Sequence, residues 1–70
     1  MGQWRAVKAK VLLRALKRAG WVIIRQKGSH RTLAYQNKQH ITFAFHDGEE
    51  IGPKMLARYA KHAGLSPEDI

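Results

Sequence analysis

The sequence predicts an α+β fold: a helix, a three-stranded antiparallel sheet and a second helix, with both helices on one face of the sheet. Three observations predict it. Two stretches, about Arg5 to Ala19 and Pro53 to Ala63, repeat apolar residues at helical spacing. The segment between them alternates apolar and polar residues at strand spacing. Gly-Ser, Asn-Lys-Gln and Asp-Gly break that segment where turns are needed.

Residues 1 to 4 read as a loose end. In the first helix Ala9, Leu12, Leu13, Leu16 and Ala19 make one apolar stripe, with Lys10, Arg14 and Lys17 on the opposite side. Gly20 suits the left-handed position after a helix, and Trp21 is placed to pack back on Leu16. Trp21 to Lys27 reads as a strand running to a turn at Gly28-Ser29, and His30 to Gln36 returns from it. Asn37-Lys38-Gln39 makes the next turn, and His40 to His46 forms the third strand before Asp47-Gly48. Glu49 and Glu50 precede the second helix, where acids suit the helix dipole. Pro53 is acceptable in its first turn. Met55, Leu56, Tyr59, Ala60 and Ala63 form its apolar stripe, Gly64 ends it, and Ser66-Pro67-Glu68-Asp69 starts one short extra turn.

The alternation predicts a register. A two-residue loop at Gly28-Ser29 sets Lys27 opposite His30, Ile24 opposite Leu33 and Val22 opposite Tyr35. A three-residue loop at Asn37-Lys38-Gln39 sets Tyr35 against Ile41, Leu33 against Phe43 and His30 against His46. The core face is then Val22, Ile24, Leu33, Tyr35, Ile41, Phe43 and Phe45. The other face carries Ile23, Arg25, Lys27, His30, Thr32, Ala34, Thr42, Ala44 and His46. Trp21 and Ile23 do not fit an exposed face.

Seventy residues with 44% hydrophobic content predict a single domain over residues 1–70. A chain this short buries only about 60% of the surface its unfolded form exposes. It has no cysteine and no ligand spacing that suggests a metal, so no cofactor is expected and a partner is the remaining source of stability. The chain carries no apolar run long enough for a signal or a membrane span, and Ala6 does not fit a myristoylation signal after Met1-Gly2. A cytoplasmic, monomeric free chain with no membrane contact is expected.

Thirteen Lys and Arg against five Asp and Glu give a net charge of +8, and no carboxylate occurs from Met1 to His46. This balance points to a polyphosphate partner, RNA or DNA. A solubilising surface, or a basic face that docks an acidic protein, accounts for the same composition.

At Gly20-Trp21 and Arg25-Gln26-Lys27-Gly28-Ser29-His30, the chain resembles the HicA (YcfA-like) family of small bacterial toxins. The histidine at His46 and the Ala63-Gly64-Leu65 ending extend the similarity over nearly the whole chain. Members often carry a proline shortly before the later histidine, where this chain has Phe43-Ala44-Phe45; they tend to open the last helix with Gly-Thr, where it has Gly52-Pro53-Lys54-Met55. The resemblance implies a metal-independent ribonuclease that cleaves mRNA on a double-stranded-RNA-binding-like fold and is held inactive by a HicB antitoxin. The family's functional histidine carries over onto His30.

Metal-free RNA cleavage needs a base to take the proton of a 2′-hydroxyl and cations to hold the charge that builds on the phosphoryl oxygens. Histidine suits the first task, having an unperturbed pKa of about 6.5. Arg25, Lys27 and Arg31 are the candidate phosphate contacts, Gly28 permits the tight turn, and the Ser29 hydroxyl is placed to orient the imidazole or meet a phosphate. His46 is either a second proton-transfer group or a polar residue ending the strand. On its residues alone, without the resemblance, His30 reads as an exposed turn residue. His40 and His62 read as surface residues, and Tyr35, Phe43 and Phe45 as core rather than RNA-stacking rings. Two other functions fit the charge and element order: a non-catalytic RNA-binding module and a protein-interaction subunit.

Overall fold

The computed structural model describes residues 3–45 and 48–70. Along the chain run β1 (Val7–Lys8), α1 (Ala9–Arg18), β2 (Val22–Lys27), β3 (His30–Ala34), β4 (Ile41–Ala44), β5 (Glu50–Ile51) and α2 (Pro53–Ala63), followed by a 3₁₀ turn at Pro67–Asp69. The middle three strands form the expected antiparallel sheet in the order β2-β3-β4, while β1 and β5 pair with each other. The arrangement is that of a small α+β fold of the double-stranded-RNA-binding type.

The first helix begins later than its periodicity predicts. Val7 pairs with Ile51 and Lys8 with Glu50, and the Ala9 N–H donates to the Glu49 carbonyl at 2.9 Å. This pairing takes the residues just before α1 out of the helix, and its partner lies far along the chain, where a local pattern cannot register it. It also places Glu50 in a strand just before α2, whose own first turn carries no acid. The exposed Lys8–Glu50 ion pair at 3.9 Å adds little to stability.

Both helices end as their glycines predict. The Trp21 N–H donates to the Leu16 carbonyl and the Gly20 N–H to that of Lys17, each at 3.0 Å, which is the double bond of a Schellman cap. Gly20 has φ +107°, and a Cβ there would come within 2.8 Å of Tyr35 Cε1. Only glycine fits in both conformation and space. Gly64 closes α2 with the same pair of bonds, from Leu65 to Ala60 and from Gly64 to Lys61.

The register differs from expectation in both hairpins. Lys27 does pair with His30 across the Gly28-Ser29 turn, and Arg25 pairs with Thr32, but Ile23 rather than Ile24 pairs with Leu33 and Val22 pairs with Ala34. Ile24 is the extra residue of a β-bulge on the edge strand. The bulge reverses the alternation of β2, so Val22 and Ile24 are 57% and 51% exposed, and Ile23 packs on the core. In the second hairpin Leu33 pairs with Ile41, Arg31 with Phe43 and His30 with Ala44. The connection is residues 35–40, longer than the expected turn. It is shaped by Gln36 at φ +44° and by the Lys38 N–H donating to the Tyr35 carbonyl at 2.9 Å.

Ala9, Leu12 and Leu16 of α1, Trp21, Leu33, Ile41 and Phe43 of the sheet region, Ile51, and Leu56 of α2 form one buried cluster. Ala15, unassigned by the periodicity, is buried, whereas Met55 is exposed. Trp21 is 2% exposed and stacks on Tyr35 with ring centroids 5.6 Å apart. Burying a side chain of this size is worth about 1.5–3 kcal/mol or more. After α2, the Ser66 N–H and hydroxyl both donate to Asp69 Oδ2, at 2.8 and 3.1 Å. These bonds hold the Asp69 carboxyl below its usual pKa.

Candidate functional site

The bulge at Ile24 decides what faces solvent. Ile23 lies with Leu33 on the packed side, whereas Arg25 lies with its partner Thr32 on the open side; a regular strand would place residues 23 and 25 on the same side. Lys27 follows Arg25 two residues on, and Gly28 at φ +59° turns the chain so that His30 stands directly opposite Lys27. A Cβ at Gly28 would meet nothing within 4 Å, so the demand there is conformational alone.

Arg25, Lys27, His30, Thr32 and Thr42 line a single open hollow of about 380 Å³ on this face. The directly opposed Thr32 and Thr42 hydroxyls are hydrogen-bonded at 2.8 Å, joining β3 to β4 within the hollow. His30 is exposed, and among the described residues none hydrogen-bonds to its ring and no carboxylate lines the hollow. Two cations and two hydroxyls around a free imidazole form a surface suited to a phosphodiester. Among the described residues, no three of His, Cys, Asp or Glu gather as a metal site would require.

The remaining sequence candidates sit elsewhere. Arg31, paired between Gln26 and Phe43, lies on the other face; its guanidinium stands 4.6 Å over the Phe45 ring, and Nη1 donates to the Phe45 carbonyl at 3.3 Å. Ser29 is half-buried, and its carbonyl accepts the Phe45 N–H at 2.6 Å. Together these contacts tie the chain beyond β4 to the turn that carries His30. His46 lies outside the described residues, and the residue paired with His30 is Ala44.

Thr32 and Thr42 were legible as members of the open face but not as parts of a site. Their signal was the opposition of two threonines on neighbouring strands, which depends on the register.

A second hollow, of about 360 Å³, lies between β4 and α2 and is lined by Gln39, His40, Ile41, Thr42, Arg58, Tyr59 and His62. His62 is half-buried, with Nε2 2.7 Å from the Gln39 carbonyl; since a carbonyl only accepts, Nε2 carries the proton. The Tyr59 hydroxyl donates to the Thr42 carbonyl at 3.3 Å. Burial raises its pKa, an effect the Arg58 charge partly offsets.

A small α+β domain that presents a basic, histidine-bearing sheet face is the class that fold and site define together. The family model described as "HicA toxin of bacterial toxin-antitoxin" matches residues 9–65, a span that takes in α1, the whole sheet and α2. The chain belongs to the HicA toxin family, and membership implies a toxin–antitoxin partnership. No curated protein and no solved structure matches it. Among the described residues, no helix is long and apolar enough to cross a membrane.

Proposed function

We propose that the chain is a metal-independent endoribonuclease toxin that cuts mRNA at the His30 hollow and is neutralised by a HicB-type antitoxin. The observation that carries this reading is the convergence of His30 with Arg25, Lys27, Thr32 and Thr42 in one open hollow. Family membership supports the same reading.

In this chemistry the His30 imidazole accepts the proton of the 2′-hydroxyl on the nucleotide 5′ of the scissile linkage. The 2′-oxygen then attacks the neighbouring phosphorus as the bond to the 5′-oxygen breaks. The products are a 2′,3′-cyclic phosphate and a 5′-hydroxyl, whose oxygen takes a proton from the imidazolium or from water. Arg25 and Lys27 hold the charge on the non-bridging oxygens while the phosphorus is five-coordinate. The threonine hydroxyls steady the same phosphate from the floor of the hollow.

Purified wild type and His30→Ala, incubated with mRNA in a chelator, test the reading. Wild type should release fragments with cyclic phosphate ends, and the variant should be slower by about a hundredfold to ten-thousandfold with an unchanged melting curve. Equal cleavage by the two proteins would remove His30 from the chemistry. Binding of RNA by wild type without cleavage would make the chain a non-catalytic RNA-binding module.

A further inference from the structure

The hollow between β4 and α2 takes no part in the chemistry at His30, yet the two adjoin at one residue. Thr42 lines both. Its hydroxyl meets Thr32 on the side of the His30 hollow, and its carbonyl accepts from Tyr59 on the other. Since His30 pairs with Ala44, Thr42 is its diagonal neighbour, at a separation of about 7–8 Å. β4 is the last strand of the sheet, so a polymer leaving the first hollow over Thr42 arrives directly in the second.

The lining of this second hollow is suited to the same ligand. Arg58 and His40 are exposed, His62 and Tyr59 add further hydrogen-bonding groups, and no carboxylate is present among the described lining residues. On α2, Lys54, Arg58 and Lys61 follow each other at i, i+4 and i+7 and are all exposed, so they form one basic ridge along the helix. The His62 bond to the Gln39 carbonyl ties the connecting loop to the helix. The hollow is therefore formed before any ligand arrives.

We propose that this hollow is a second phosphate-binding subsite, in which Arg58, assisted by His40, holds the RNA backbone on the β4 side of the linkage cut at His30. The proposal rests on the ribonuclease reading above. An acidic protein partner would meet the same charges, but adjacency to the His30 hollow through the shared Thr42 favours the nucleic acid. Arg58 is the principal contact because its planar donors match a phosphate and it stands at the centre of the basic ridge.

The test is binding of wild type, Arg58→Ala and Arg58→Lys to a long single-stranded RNA carrying 2′-deoxyribose at the cleavage position, and to a dinucleotide, over a series of salt concentrations. Arg58→Ala should weaken the long RNA about tenfold and lower the slope of log affinity against log salt by about 0.7. It should affect the dinucleotide far less, and Arg58→Lys should recover part of the loss. Equal affinities and slopes for wild type and Arg58→Ala, with cleavage by wild type intact, would overturn the subsite and leave the ribonuclease reading standing. The same result joined to weakened antitoxin capture would reassign the hollow to protein docking. Wild type that neither binds nor cuts RNA would overturn both.

Discussion

The two faces of the β2-β3-β4 sheet are built from alternate residues of the same strands, and they differ in almost every property. Leu33 is fully buried, while its neighbour Thr32 lines an open hollow. Ile41 and Phe43 belong to the core, while Thr42 between them meets Thr32 and lies exposed. Even the cations divide in this way. Arg31 is held against Phe45 on one side, and Arg25 and Lys27 stand free on the other. Stability and proposed chemistry are thus separated at the spacing of a single residue, so substitutions one position apart should fail in different ways.

The largest effect on this separation should come from Leu33→Ala, which leaves a cavity in the centre of the core and costs about 2–5 kcal/mol. In a domain of this size the melting temperature should fall by roughly 10 °C or more, while RNA cleavage per folded molecule stays near wild type. Thermal melts followed by circular dichroism, with cleavage measured below the transition, check both halves. Next comes the double replacement Arg25→Ala and Lys27→Ala. It should lower cleavage about a hundredfold and leave the melt within a few degrees of wild type, because both residues are exposed. A large drop in stability would show that the open face also supports the fold.

Gly20→Ala should cost about 1–3 kcal/mol, since it forces a Cβ into a left-handed conformation and onto the Tyr35 ring. Gly28→Ala bears only the conformational part, so chemical denaturation should rank Gly20→Ala as the more damaging. The smallest effect is confined to the C-terminal turn. The Asp69 carboxyl has a depressed pKa in the folded chain, so its contribution is present above its unfolded pKa and is lost as pH falls through the folded value. Ser66→Ala removes a donor, and carboxyl resonances followed by NMR should show Asp69 titrating at higher pH than in wild type.

Much of this arrangement was readable from the residues. The glycines after each helix, the two-residue turn at Gly28-Ser29, the Lys27–His30 pairing and the common face of Arg25, Lys27, His30, Thr32 and Thr42 follow from local patterns. The second hairpin was legible only in part. Apolar alternation fixes which face a residue takes but does not distinguish registers two residues apart, so Ile41 and Phe43 faced the core although their partners were misassigned. The β1–β5 pairing escaped because only tertiary contact holds two such short strands. In Trp21 to Ile24 every residue is apolar, so the alternation has no phase to read. The misfit of Trp21 and Ile23 was the trace left by the bulge.

That bulge has a consequence for how this strand tolerates changes in length. β2 is two half-strands spliced out of phase, an apolar half ending at Ile23 and a cationic half starting at Arg25, with Ile24 as the joint. Removing Ile24 would leave Ile23 directed inward and Arg25 outward, because neighbouring residues of a regular strand alternate in the same way. Deleting Gln26 instead would turn either Arg25 or Lys27 toward the packed side. The joint is thus the position in β2 where losing one residue preserves the orientation of both halves, and the reading of the strand is set there rather than at the turn.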